Sequence, residues 1–304
     1  MSIAVNPAES ARFGRFLAIA LLTWAAQTQS AIACDLGDWQ GGNSGGATVS
    51  VGQPVPQSIP RYSGLCGMAT QSGTVGWVQD NSPGGISRIR ARFYVLNNID
   101  SGSTEIYQGY STNSGSGPLF TVSLNAAGNV TLIDDASGTS VEQAGSTNWL
   151  SVEIDWQQGN GDGAITLSVN GQDVESQTGL ANFGNLPESA RLESVRLGNL
   201  SGANSGNLLV NGVPLESPVT FDAYESRRTT AIGELCPGDA DPDGTSADTR
   251  DFADISAIFD EFSTLGSTLA TGTPDANADG VVDFADISVV FDLFSNLQGA
   301  CPNA

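Results

Sequence analysis

Near its end the chain repeats itself: Asp251 to Phe262 and Asp283 to Phe294 agree at nine of twelve positions, 32 residues apart. Within each copy apolar residues recur at helical spacing, Phe252, Ile255, Ile258, Phe259 and Phe262 in the first and Phe284, Ile287, Phe291 and Phe294 in the second. Each copy follows a cluster of alternating acidic residues, Asp239-Ala-Asp-Pro-Asp-Gly244 and Asp275-Ala-Asn-Ala-Asp-Gly280. Carboxylates so closely spaced repel one another unless a cation sits among them. The repeat therefore predicts two loop-and-helix units, each gathered around an ion.

The spacing points to calcium. With Asp275 as position 1 of a twelve-residue loop, Asn277, Asp279, Val281, Asp283 and Asp286 fall at positions 3, 5, 7, 9 and 12, with Gly280 at position 6. That is the EF-hand ligand spacing, which turns alternate side chains toward one centre and supplies the hard oxygens calcium takes. Gly280 permits the sharp bend, Val281 offers its carbonyl, and Asp283 can ligate through water while capping the next helix. An ordinary EF-hand carries Glu at position 12 and a helix before the loop; here there is Asp286, and no amphipathic helix precedes either loop. In the first copy Asp239, Asp241, Asp243 and Gly244 fit, but four extra residues lie between Gly244 and Asp251. Its late ligand is then Asp248, Asp251 or Asp254.

Residues 236–301 resemble a type I dockerin, a small calcium-folded module that plugs into cohesin domains on bacterial surface scaffolds. The resemblance implies an all-α module over residues 236–304, calcium as cofactor and a cohesin-like or other cell-surface protein as partner. Family members carry small hydroxyl residues at loop positions 10 and 11 and a basic pair on the helix, whereas this chain has Phe284 and Ala285, then Phe291 and Asp292. The other reading is a calcium-stapled anchor or spacer with no docking role. In a two-repeat module of this kind Cys236 and Cys301 bracket the ends, which should meet in a disulfide, leaving Cys34 to pair with Cys66. A lipid-modified Cys34 is the alternative.

Arg12 and Arg15 precede an apolar run, Phe16 to Ala26, that ends in Ala31-Ile-Ala33, so residues 1–33 read as a signal peptide. The mature chain is expected to be secreted or on a bacterial cell surface, with no transmembrane segment. The net charge is −22, of which residues 236–304 contribute −12. Such a field excludes nucleic-acid binding. All eleven basic residues are Arg and there is no His, which removes the commonest general base and zinc ligand.

Residues 34–232 are rich in Gly, Ser, Thr and Asn, with period-two apolar runs such as Ile89-x-Ala-x-Phe-x-Val95 and Leu150-x-Val-x-Ile-x-Trp156. Ile165, Leu167 and Val169 run into Asn170-Gly171, a strong hairpin signal. The pattern predicts an antiparallel two-sheet jelly roll. The order Trp149 to Trp156, then Gly161 to Gly171, then Phe221 to Ser226 resembles concanavalin A-like and laminin G-like sandwiches. The expected fold class is thus mainly β: a jelly-roll sandwich followed by the small α module.

For chemistry, Glu153-Ile-Asp-Trp-Gln-Gln158 resembles the Glu-x-Asp-x-x-Glu strand of laminarinase-like glycosidases, with Gln158 in place of the second Glu. Retaining hydrolysis needs two carboxyls, so Glu153 and Asp155 read as a polar strand face and no catalytic residue is assigned. Arg88, Arg90 and Arg92 on one strand face require negative partners. Those are either a cross-strand carboxylate ladder through Glu153 and Asp155 or an acidic polysaccharide. Trp39, Trp77, Trp149, Tyr107 and Tyr110 are either a sugar-stacking platform or core. The leading expectation is a sandwich that binds carbohydrate or a surface partner. A polysaccharide-degrading hydrolase or lyase and a structural matrix protein are the alternatives.

Overall fold

Alternating apolar residues sort the middle of the chain into two layers. In the computed structural model, residues 39, 41–43, 46–51, 59–64, 66–112, 114–115, 117–183, 191–210, 212–240, 250–264, 270 and 272–295 are described. With strands numbered in chain order, one sheet holds seven: β1 (Ala47–Val51), β2 (Cys66–Thr70), β15 (Val219–Arg227), β4 (Arg88–Asn97), β9 (Trp149–Gln157), β10 (Asn160–Val169) and β11 (Gln172–Ala181), in that spatial order. The other holds six, in the order β3 (Gly76–Asp80), β12 (Ser194–Asn199), β5 (Ser103–Tyr110), β6 (Pro118–Asn125), β7 (Val130–Asp134) and β8 (Thr139–Gln143). A separate ribbon pairs β13 (Leu209–Val210) with β14 (Val213–Pro214). The expected mainly β, two-sheet sandwich followed by two helices is the fold of this chain.

The inward residues are those the alternation picks out. Ile89, Ala91, Phe93 and Val95 of β4, Leu150, Val152, Ile154 and Trp156 of β9, and Ile165, Leu167 and Val169 of β10 form one buried cluster with Phe120, Val122 and Leu124 of β6 and Val195 and Leu197 of β12. Rings run through it in tilted contact, Phe93 to Tyr107 at 5.4 Å, Tyr107 to Phe120 at 5.7 Å and Phe120 to Trp156 at 5.5 Å. The Trp156 indole donates to the buried Asp134 carboxylate at 2.8 Å, and Asn182 donates to the same oxygen at 2.7 Å. The indole N–H of Trp156 and the Asp134 carboxylate are thereby satisfied inside the core. The β10–β11 turn has Asn170 at φ 53 and Gly171 at φ 62, the two left-handed residues that a type I′ hairpin requires.

The C-terminal repeats form α1 (Phe252–Ser263) and α2 (Phe284–Ser295). Asp251 caps α1 by accepting from the Ala253 N–H at 2.6 Å, while Asp254 accepts from the Asp251 N–H at 2.6 Å, a complete capping box. Asp283 caps α2 in the same way through Ala285. The core between the helices is small: Ala240, Ile258, Ala270, Ala276, Val282 and Val290. So few apolar side chains bury little surface, and a unit of this size needs further ties.

Some of those ties run to the sandwich. Tyr62 stacks on Tyr94 at 3.9 Å, and with Leu96, Trp149 and Leu215 they form a second buried cluster against which Leu235 and Ala278 pack. The Trp149 N–H donates to the Ala278 carbonyl at 3.0 Å, the Gly64 N–H to the Gly272 carbonyl at 3.0 Å, and the Leu235 N–H to the Tyr94 hydroxyl at 2.8 Å. Arg61 reaches the Glu261 carboxylate of α1 at 2.5 Å, both side chains buried, and the same oxygen accepts from the Ala270 N–H at 2.8 Å. The segment carrying Arg61 is held to β15 by Asp222, which accepts from the Tyr62 and Ser63 N–H groups at 2.5 and 2.8 Å. Cys66 and Cys236 are both disulfide-bonded, while Cys34 and Cys301, like the leader, lie outside the described residues. Among the described residues no helix is long and apolar enough to cross a membrane.

Candidate functional site

The second acidic loop curls its carboxylates inward onto its own backbone. Asp275, fully buried, accepts from the Asp279 N–H at 3.1 Å and from the Gly280 N–H at 2.8 Å through its two oxygens. The Asn277 amide oxygen also accepts from Asp279 at 2.9 Å, and Asp279 accepts from the Val281 N–H at 2.9 Å. Asp286, on the first turn of α2, reaches back to Asn277 at 3.1 Å and Asp283 at 2.8 Å. Ala278 and Gly280 take left-handed φ values of 60 and 90. A Cβ on Gly280 would lie 3.1 Å from a methyl of Leu96, so glycine serves both the turn and the close approach to the sandwich.

This loop has the donors for a hard cation and lacks a positive charge of its own. Burial, and then the carboxylates of Asp286 and Asp279, push the Asp275 carboxyl well above the usual carboxylate range. Burial likewise pushes Asp286 up to about 6, against the N–H groups of Asp283 and Asn277 that favour its charged form. The ion pairs of the described residues involve none of Asp275, Asp279, Asp283 and Asp286. A divalent cation would relieve both burdens. Among the described residues no three acidic groups converge as a ready-made metal cluster, so a cation here would have to draw on the Asn277 amide oxygen and the Val281 carbonyl beside Asp275, Asp279 and Asp286. Oxygen sets of this kind suit calcium.

With calcium chelated, a carboxyl whose folded pKa is raised contributes stability that is complete below its unfolded value of about 4. That contribution is lost as pH rises through about 6 for Asp286, and Asp275 moves the same way. The chelated protein is expected to melt higher at pH 5 than at pH 7.5. With calcium the order inverts, because protons compete for the same oxygens; thermal midpoints at both pH values, with and without chelator, check it.

In the first loop Asp241 and Asp243 lie outside the described residues, while Asp239 and Asp254 are buried. Asp254 accepts from the Ala240 N–H at 2.8 Å as well as from Asp251, which makes it the counterpart of Asp286. Of the late candidates Asp254 takes the place that Asp286 has in the second loop, Asp251 is the helix cap, and Asp248 is outside the described residues. The sequence reading missed a pairing between the two loop entrances. Gly238 donates to the Thr273 carbonyl at 2.8 Å, Thr273 to Asp239 at 2.7 Å, and Gly272 to Ala240 at 3.1 Å, with the Thr273 hydroxyl on the Cys236 carbonyl.

On the sandwich the arginine stripe is matched within the chain. Arg88 holds Asp155 through two bonds of 2.9 and 2.6 Å, and Arg90 reaches the same carboxylate at 2.8 Å. Arg92 lies 3.3 Å from Glu225 and donates to the Gly233 carbonyl at 3.0 Å. The cross-strand register places Arg90 opposite Asp155 and Arg92 opposite Glu153, yet Glu153 takes no arginine. Its two oxygens accept the Ile232 and Gly233 N–H groups at 3.0 and 2.9 Å. The segment between β15 and Cys236 is thus strapped across β4 and β9, with Gly233 gripped at both N–H and C=O. Beneath the strap lies a cavity of about 500 Å³ whose floor includes Arg90, Glu153, Asp155, Thr166 and Ser168. Glu234 lines it too, its carboxyl raised by burial against the pull of Arg92.

The aromatic platform does not assemble. Tyr107, Tyr110 and Trp149 are buried, Trp77 is covered by the Arg196 guanidinium at 3.9 Å, and Trp39 packs on Tyr224 at 5.1 Å. Gln158 is buried and accepts from Arg191 at 3.0 Å.

No protein-family model matches the chain, and no curated protein does. Among solved structures, the botulinum neurotoxin serotype D binding domain is similar at 14% identity and a TM-score of 0.38, over 60% of this chain and 44% of that one. A PL-14 alginate lyase from Aplysia kurodai is similar at 10% identity and a TM-score of 0.40, over 62% of this chain and 89% of the other. Trypanosoma rangeli sialidase is similar at 13% identity and a TM-score of 0.38, over 60% and 28%. The chain thus spans less than half the length of the first and third.

Proposed function

We propose that this chain is an exported, non-catalytic binding protein whose dockerin-like C-terminal helices are organised by calcium, offer a docking face to a partner, and are stapled to a ligand-binding sandwich. The observation that carries the reading is Asp275: a fully buried carboxylate, flanked by Asp279 and Asp286, in a loop of oxygen donors with no cationic side chain to balance it. Calcium held by Asp275, Asn277, Asp279, Val281 and Asp286 supplies that balance, and Asp239 with Asp254 forms the core of the first site.

The docking face lies on the helices. Phe252 and Phe284 are 63% and 64% exposed, and Phe259 and Phe291 are each 52% exposed. Equivalent residues of the two repeats are therefore turned out alike, with Phe252 against Phe294 at 4.9 Å. Exposed Asp251, Asp260 and Asp292 and half-buried Asp283 surround them, and Arg250 is buried. An apolar face with an acidic rim fits a cohesin-like or other surface domain with apolar pockets and a basic rim. The absence of catalysis is supported by Glu153 and Asp155 being engaged at both oxygens and by a carboxamide at Gln158.

The test is isothermal titration calorimetry of the whole mature chain with calcium, alongside far-ultraviolet circular dichroism. Two sites and a loss of helical signal in chelator are expected. Helicity that is the same in calcium and in chelator would sink the proposal.

A further inference from the structure

We infer that the cavity under the strap is the sandwich's ligand site and that it takes a neutral saccharide. The inference rests on the reading of the sandwich as a binding module and adds to it a place and a ligand class. The volume, about 500 Å³, falls in the range of small-molecule sites, roughly 300–1,000 Å³.

Most charge on its walls is already matched, because Asp155 is shared by Arg88 and Arg90 and Glu153 is spent on the strap. What is left over is polar and unpaired. The Thr166 and Ser168 hydroxyls and the Glu234 carboxylate have no hydrogen-bond partner among the described residues. Glu234 is held over the β10–β11 turn, where a Cβ on Gly171 would lie 2.5 Å from its Oε2.

A carboxylate acceptor and two hydroxyls are what vicinal hydroxyl groups of a sugar can satisfy together. The strap adds the apolar side chains of Ala231 and Ile232, against which a ring face can lie. The unpaired group of full charge is negative, so uronic and sulfated glycans are repelled. The matched arginine stripe therefore does not serve an acidic polysaccharide, although that was one reading of the sequence.

The experiment titrates the whole chain in calcium buffer with neutral oligosaccharides (gluco-, xylo-, manno- and galacto-series) and with alginate and heparin fragments. It compares the parent with Ser168→Trp and Glu234→Gln. Ser168→Trp places a large ring in the cavity from a half-exposed strand position, and Glu234→Gln keeps the shape while removing the charge. The expected result is binding of at least one neutral series, abolished by Ser168→Trp and weakened about tenfold by Glu234→Gln. The calcium-loaded melting temperature of Glu234→Gln should match the parent's, so that a folding defect in the tryptophan variant does not decide the outcome. Neutral binding that neither variant alters overturns the site but leaves the sandwich a binding module. Preference for alginate or heparin fragments overturns the ligand class. Silence across the panel overturns both this inference and the reading it rests on.

Discussion

Asp275→Ala is expected to change sign with calcium. In chelator the variant should melt at or above the parent, because it removes a buried carboxylate crowded by Asp279 and Asp286. In excess calcium it should lose the stabilisation that the ion confers, about 4 kcal/mol when free calcium is ~1,000-fold above the dissociation constant. The loss should exceed that of Asp239→Ala, since the second loop lies against the sandwich, through Ala278 on Trp149 and Gly280 on Leu96. Thermal melts of parent and both variants, with and without calcium, measure this. An equal penalty in chelator and in calcium would show that Asp275 stabilises through its hydrogen bonds alone.

The second large effect belongs to Arg61 and Glu261. Truncating either to alanine strands the other charge in a buried site, at a cost of about 3–5 kcal/mol. Replacing both, as Arg61→Met with Glu261→Leu, removes the two desolvation costs together and should come within ~1 kcal/mol of the parent. The pair also fastens Ala270, whose N–H shares the same carboxylate oxygen. The single variants should therefore loosen α1 from the sandwich, seen as a helical transition that precedes the loss of sheet signal. Urea unfolding of the four proteins gives the coupling energy directly. Single substitutions costing below ~1 kcal/mol would place the pair among solvent-exposed bridges.

What could be read in advance was whatever is local in sequence. Strands β4, β9 and β10 show in the alternation of Ile89 to Val95, Leu150 to Trp156 and Ile165 to Val169, and their turn shows in Asn170-Gly171. The helices show in the phenylalanine period and the cap of the second in Asp283. The spacing that brings Asp275, Asn277, Asp279 and Asp286 around one loop could also be read. The docking of that loop could not, because Trp149 and Tyr94 look like ordinary strand residues and Arg61 meets Glu261 across 200 positions. Glu153 was misdirected for a similar reason. Its cross-strand neighbour is an arginine, but its partners are main-chain N–H groups of a segment 79 and 80 residues away. A cavity roofed by backbone leaves no side-chain signature, so Thr166, Ser168 and Glu234 drew no attention. In the first loop the inserted residues hide the late position, where Asp254 bonds Ala240 as Asp286 bonds Asn277.

The seam between helices and sandwich also governs how the molecule bears load. Tension applied to the helices, were a partner to seat on the phenylalanines, would leave them by way of Ala278, Leu235 and Gly233 and enter β4 and β9, neighbouring strands in the interior of the seven-stranded sheet. Such force would be spread into the middle of a hydrogen-bonded array and would not peel an outer strand, so any grip on the tail should give way before the sheet does.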